Sequence, residues 1–145
     1  MNILQHACLL AAFVVLVPTA HAAGSLEVED AWIREAPPGA TMLAGYATLK
    51  NRGDARLLVL LVESDAFEEA SMHETVLEGG VSKMRELERI EIEPGAQVRL
   101  EPGGKHLMLM QPRHAIVAGS SIGITFVMAD NTRVEAPFVV RGIGP

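Results

Sequence analysis

Turn-forming residues interrupt this chain too often for helices of ordinary length to fit between them. Pro37-Pro38-Gly39, Asn51-Arg52-Gly53-Asp54, Gly79-Gly80, Pro94-Gly95, Pro102-Gly103-Gly104 and Asp130-Asn131 each fix φ or permit φ > 0. The runs between them are short and rich in Val, Ile, Leu, Thr and Phe, residues that suit a pleated, half-buried surface. The pattern predicts an all-β fold class. Its candidate strands are Leu26–Arg34, Gly45–Asn51, Arg56–Glu63, Ala70–Val76, Val81–Leu87, Ile90–Ile92, Gln97–Leu100, Lys105–Met110, Ser121–Ala129 and Arg133–Val140. Asp65–Ala70 is the one short candidate helix. Glu-Pro-Gly recurs at Glu93 and Glu101, a spacing that suits meandering strands, and no longer period points to a solenoid or propeller.

Ahead of the first strand, Ala7 to Val17 is an uncharged apolar run of signal-peptide rather than membrane-spanning length. Pro18 and Thr19 break it, and Ala20-His21-Ala22 places small residues where a signal peptidase reads. Residues 1–22 are therefore expected to be a cleaved signal peptide, with the mature chain starting at Ala23 and carrying no membrane anchor. Met1 to His6 departs from the usual pattern in having no Lys or Arg. The single cysteine, Cys8, falls inside the leader and lacks the Leu and small-residue context of a lipid-modified cysteine. A mature chain without thiol has no disulfide, thiolate metal site or cysteine nucleophile, which fits an oxidising compartment.

Residues 23–145 suffice for one compact domain and are too few for two. The formal net charge of −6 is unchanged by removal of the leader, which has no charged side chain. No basic stretch is present to neutralise phosphates, so nucleic acid is excluded as a partner class. An acidic surface is compatible with attracting a cation.

Three histidines survive removal of the leader, His73, His106 and His114, beside six methionines. His73, Met84, His106 and Met108 form a spaced set, with ten, twenty-one and one residues between successive members. Imidazole nitrogen combined with soft thioether sulfur suits copper(I), whereas magnesium and calcium prefer hard oxygen. Strand parity gives a check, because side chains alternate faces along a strand and cross-strand partners share one. With Glu78-Gly79 as a two-residue turn, His73 falls opposite Met84. With Gly79-Gly80 as the turn, Met84 faces Thr75, diagonal to His73; both arrangements keep the pair on one face, and a three-residue turn reverses the parity. His106 and Met108, two residues apart, also share a face, and Met110 continues it.

Each component has an ordinary explanation when taken alone. A single histidine is usually solvated or hydrogen-bonded, and methionines inside Leu107-Met108-Leu109-Met110 are usually core filler. Met128 reads as core, His114 as a solvated loop residue, Met42 as an exposed loop residue or auxiliary ligand, Met110 as a spare ligand or core residue, and Met72 stays open as an auxiliary ligand. Glu74 is a surface charge able to bias the region toward cations. His73-Glu74 lacks the second histidine of a zinc-protease helix. Read together, the four residues suggest a copper(I) carrier, and two other classes stand against it. A metal-free β-sandwich interaction module predicts no copper dependence. A copper enzyme or blue-copper protein calls for a site stable as copper(II) or a cysteine thiolate. The chain has no Ser-His-Asp set, phosphate-cradling loop or carboxylate pair, so no enzymatic activity is expected.

The spaced set resembles the hallmark of the periplasmic copper(I) chaperone family of the PCu(A)C type, which is His, ten residues, Met, twenty-one residues, His, one residue, Met. The resemblance extends through Ala31-Trp32-Ile33-Arg34, Pro37-Pro38-Gly39, Ala44-Gly45-Tyr46, Met72-His73-Glu74, Gly80-Val81, Lys83-Met84-Arg85 and the segment Pro102 to Met110. It implies a cupredoxin-like, Greek-key antiparallel β-sandwich, a periplasmic location and Cu(I) bound by His73, Met84, His106 and Met108. It further implies copper delivery toward the binuclear centre of cytochrome c oxidase, often together with Sco-type thiol proteins. Copper buffering for resistance is the alternative. The chain ends at Pro145 without the His/Met-rich extension of some relatives, so no second, copper(II) site is implied.

Overall fold

The computed structural model describes residues 25–142, so the expected signal peptide lies outside the described residues. The described chain contains ten strands: β1 Leu26–Arg34, β2 Met42–Asn51, β3 Leu57–Glu63, β4 Phe67–Glu78, β5 Val81–Glu86, β6 Ile90–Ile92, β7 Gln97–Leu100, β8 Lys105–Pro112, β9 Ser121–Met128 and β10 Arg133–Arg141. All ten expected strands form, and β2, β4 and β8 are longer than the apolar runs that signalled them. The candidate helix Asp65–Ala70 does not form. Asp65 and Ala66 make a turn, and β4 starts at Phe67, whose ring is buried and whose register partner is Pro112 of β8. A single turn of helix offers one hydrogen bond for three fixed residues, and strand pairing with a buried Phe outweighs it.

The strands form one continuous ladder in the order β5-β4-β8-β7-β2-β1-β10-β9-β3-β6. Most pairings are antiparallel, as expected, but β1 runs parallel to β10, and β7 meets β8 in parallel at Leu100 and Lys105. The second case follows from the length of β2. Its first half, Met42 to Gly45, pairs with β8 and its second half, Ala47 to Lys50, pairs with β7, both antiparallel. Two strands antiparallel to the same third strand must run in the same direction. The sheet folds over on itself, so that inner faces of β1, β2, β4 and β8 and of β3, β9 and β10 share one apolar core. Phe126, Phe138, Ile33, Leu49, Leu107 and Leu109 are fully buried in it.

Period-two alternation decides what faces outward. On β8, Leu107 and Leu109 point into the core, which puts His106, Met108 and Met110 on the outer face. At the opposite end of β2, Asn51 is the one fully buried polar side chain among the described residues. Its Nδ2 donates to the carbonyls of Ala55 at 2.7 Å and Ile92 at 2.9 Å, and its Oδ1 accepts from the Gly53 N–H at 2.9 Å. The side chain thereby ties β2, the following turn and β6 together.

Candidate metal centre

Gly79 and Gly80, at φ +58° and +81°, are the two central residues of the β4–β5 hairpin, with Glu78 paired to Val81. Positive φ at both positions is the type I′ geometry that matches strand twist. Of the two turns the sequence allowed, the hairpin uses the second: Met84 is paired with Thr75 and lies diagonal to His73 on the same face. The next strand on the other side of β4 is β8, and there His73 is directly paired with His106 and Ser71 with Met108. His73, Met84, His106 and Met108 thus project from one face of three adjacent strands.

The two imidazole rings have centroids 6.0 Å apart and planes inclined by 29°. One ion with bonds of about 2 Å to nitrogen can bridge rings at that spacing. His106 is 8% exposed and its Nδ1 lies 3.0 Å from the Gly104 carbonyl. A carbonyl can only accept, so Nδ1 carries the proton and Nε2 is left with its lone pair for a metal. The same carbonyl accepts from the Thr75 N–H at 3.1 Å, so the turn before β8 is fastened to the strand that carries His73. Ser71 Oγ lies 3.0 Å from His73 Nε2 and holds that ring in place. His73 and Met108 are half-buried, while Met84 is 58% exposed on β5, an edge strand exposed along its whole length.

The methionines left open by the sequence now separate. Met72 is 2% exposed, paired with Leu107 on the inner face and part of the core, so it cannot reach the histidines. Met128 is core as expected. Met42 is not in a loop. It opens β2 and is paired with Met110, both on the face of Met108. His114 is exposed in the segment between β8 and β9, away from the set. Glu74 contributes little free charge, because Lys105 at 2.7 Å and Arg85 at 3.8 Å pair with it. The Lys105 hydrogen bond holds its carboxyl below the usual carboxylate range.

Met84, His106, Met108 and Met42 line one depression of about 460 Å³ together with Arg34 and Tyr46, and His73 is not among the residues that line it. The Arg34 and Tyr46 part of the lining was not assigned by the sequence reading. Trp32 and Tyr46 are paired across β1 and β2 with ring centroids 4.6 Å apart, and the Arg34 guanidinium lies 5.8 Å from both rings. Parity could have found it, since Met42, Ala44 and Tyr46 alternate onto one face. Among the described residues no group of three or more His, Cys, Asp or Glu side chains is placed to hold a metal ion. The donor set on offer is therefore two imidazoles and soft thioethers, which favours a monovalent soft ion over zinc, calcium or magnesium.

Residues 26–140 match the family described as "Putative lipoprotein LpqE-like". The protein Lxx21020 of Leifsonia xyli subsp. xyli, which carries the same lipoprotein naming, is 32% identical over 111 residues, covering 76% of this chain and 66% of its own length. An uncharacterized protein of Rickettsia prowazekii is 32% identical over 91 residues, covering 62% of this chain and 50% of its own. The chain thus spans between half and two thirds of these relatives. Among solved structures, the copper-bound PCuAC domain from PmoF2 superposes with a TM-score of 0.69 at 22% identity, covering 83% of this chain and 96% of that domain. The copper(I) form of DR1885 from Deinococcus radiodurans gives a TM-score of 0.65 at 22% identity, covering 84% and 83%. At that identity the two structures establish the fold, a cupredoxin-like one as expected.

Proposed function

The chain belongs to the LpqE-like family, which is the PCuAC-type family, and from that premise we propose that it is a copper(I) chaperone holding one ion on His73, Met84, His106 and Met108. The observation that carries this reading is the register that pairs His73 directly with His106 while Met84 and Met108 flank them on the same face. Two neutral imidazoles and two neutral thioethers leave the ion its single positive charge in a four-coordinate N₂S₂ environment suited to a d¹⁰ metal. His106 is fixed in the tautomer that frees Nε2 for the ion, and His73 is steadied by Ser71. Met84, on the exposed edge strand, is the ligand an incoming donor displaces first. The copper-bound PmoF2 domain and copper(I)-loaded DR1885 support the choice of metal by their likeness of fold.

A carrier of this kind holds copper without thiolate, so a thiolate acceptor draws the ion off through shared ligands. We assign the acceptor to the copper-centre subunit of cytochrome c oxidase, reached with a Sco-type thiol protein, and the compartment to the periplasm. The lipoprotein naming of the family and of the Leifsonia relative supports export. The role is transport of an ion, not catalysis of a reaction. The test is an anaerobic copper(I) titration against a chromophoric chelator. One tight equivalent is expected, weakened by Ala at His73, Met84, His106 or Met108 with circular dichroism unchanged. Unaltered affinity in all four variants overturns the assignment and leaves a metal-free interaction module.

A further inference from the structure

On the outer face the thioethers do not stop at Met108. Met110 lies two residues further along β8 on the same side and is the direct cross-strand partner of Met42 on β2. Met42 is 50% exposed and Met110 half-buried, so neither sulfur is locked in the core. Directly paired residues have Cβ atoms about 5 Å apart, and two unbranched, freely rotating side chains close that distance onto one ion. Met108 stands between this pair and the histidines. Its partner on β2 is Ala44, whose methyl leaves room for the neighbouring sulfurs to swing. Met42 lines the same depression as Met108, Met84 and His106, and Met110 reaches that surface only through its pairing with Met42. From the β4 side, exposed Glu69 pairs with Met110 and adds a negative charge beside it.

We infer that Met42 and Met110, with Met108 shared, form a second, thioether-only position for copper(I) adjoining the histidine pair. The inference rests on the copper(I) reading of the main site. An ion moves between the positions by ligand exchange. Each step breaks one bond from copper to imidazole or thioether and forms one to the next sulfur, the metal stays copper(I), and Met108 remains bound throughout. Met72, equally close in sequence, takes no part because it faces the core.

The test follows the methionine ε-methyl NMR signals during anaerobic titration with copper(I) alone, in the wild-type protein and in a His73→Ala/Met84→Leu variant. Met84 and Met108 are expected to shift with the first wild-type equivalent, and Met42 and Met110 with the second. In the variant, Met42, Met108 and Met110 shift with the first equivalent. A Met42→Leu/Met110→Leu protein keeps the apolar cover and loses the second equivalent, with first-equivalent affinity held within about threefold. Still signals from Met42 and Met110 in both titrations overturn the inference and leave the main site standing. Loss of the first equivalent in the Met42→Leu/Met110→Leu protein also overturns it, because the pair then belongs to a single site. A wild-type protein in which Met42, Met108 and Met110 respond while Met84 does not refutes the main site and keeps this one.

Discussion

Replacing Asn51 by Ala tests whether the architecture and the candidate metal face are energetically separate. The side chain is 1% exposed and makes three hydrogen bonds, two donated to Ala55 and Ile92 and one accepted from Gly53. Ala55 is exposed and Gly53 half-buried, in the turn after β2, so water can replace Asn51 there at little cost. Ile92 is 1% exposed, and a carbonyl stranded at that depth costs about 1–3 kcal/mol. The lost side-chain packing adds about 1 kcal/mol, for a total near 3 kcal/mol. At roughly 4 °C per kcal/mol for a domain of this size, Tm falls by about 12 °C. Asn51→Asp keeps the acceptor for Gly53 but sets a carboxylate against two carbonyl oxygens, so at neutral pH it is expected to be worse than Ala. Tyr46, the residue of β2 nearest to Asn51 that lines the depression, lies five residues away, about 17 Å at strand rise, so copper(I) affinity at temperatures where the variant is folded stays unchanged. Thermal unfolding followed by circular dichroism, paired with chelator competition, checks both halves. A Tm loss under about 3 °C refutes the hydrogen-bond accounting, and a parallel loss of copper affinity refutes the separation.

Met84→Leu should change stability by less than about 0.5 kcal/mol, because the side chain is largely exposed, while copper(I) affinity falls at least about tenfold. Chemical denaturation and copper titration of one preparation decide it. Gly80→Val forces a β-branched residue to φ near +81°, at a strain of about 1–2 kcal/mol. It should loosen the hairpin that aligns Met84 and weaken copper binding, whereas Gly79→Asn, at φ +58°, should be tolerated; equal copper affinity in the two proteins removes the turn from the argument. Asp130 accepts from the Thr132 N–H at 2.9 Å, and that backbone bond holds its carboxyl below the usual range. A depressed carboxylate contributes stability above its unfolded value, about 3.9, and loses it as pH falls through the folded one. Asp130→Asn should therefore be less stable than wild type at neutral pH and converge with it in acid, as read from unfolding midpoints across pH.

Local physics made much of this protein readable in advance. Turn residues marked six of the nine strand junctions, and the spacing of His106 and Met108 put them on one face whatever their surroundings. The two glycines kept His73 and Met84 on one face under either two-residue turn. Where local signals were weak, pairing decided. Phe67 reads as part of a helical turn in sequence, yet its burial against β8 makes it the start of a strand. Met42 reads as a loop residue because its own neighbours carry no alternation, and only its ladder to Met110 makes it part of β2.

Fold class, the candidate donors and the face taken by each candidate pair were legible along the chain, because side-chain alternation and hairpin turns act over a few residues. That β8 lies against β4 with His106 opposite His73 came from long-range packing. The same packing also decided that Met72 is core while Met42 and Met110 join the outer face, and that β1 closes on β10 in parallel. Those outcomes depend on which inner faces bury the most apolar surface together, a sum over strands far apart in the chain that no local pattern contains.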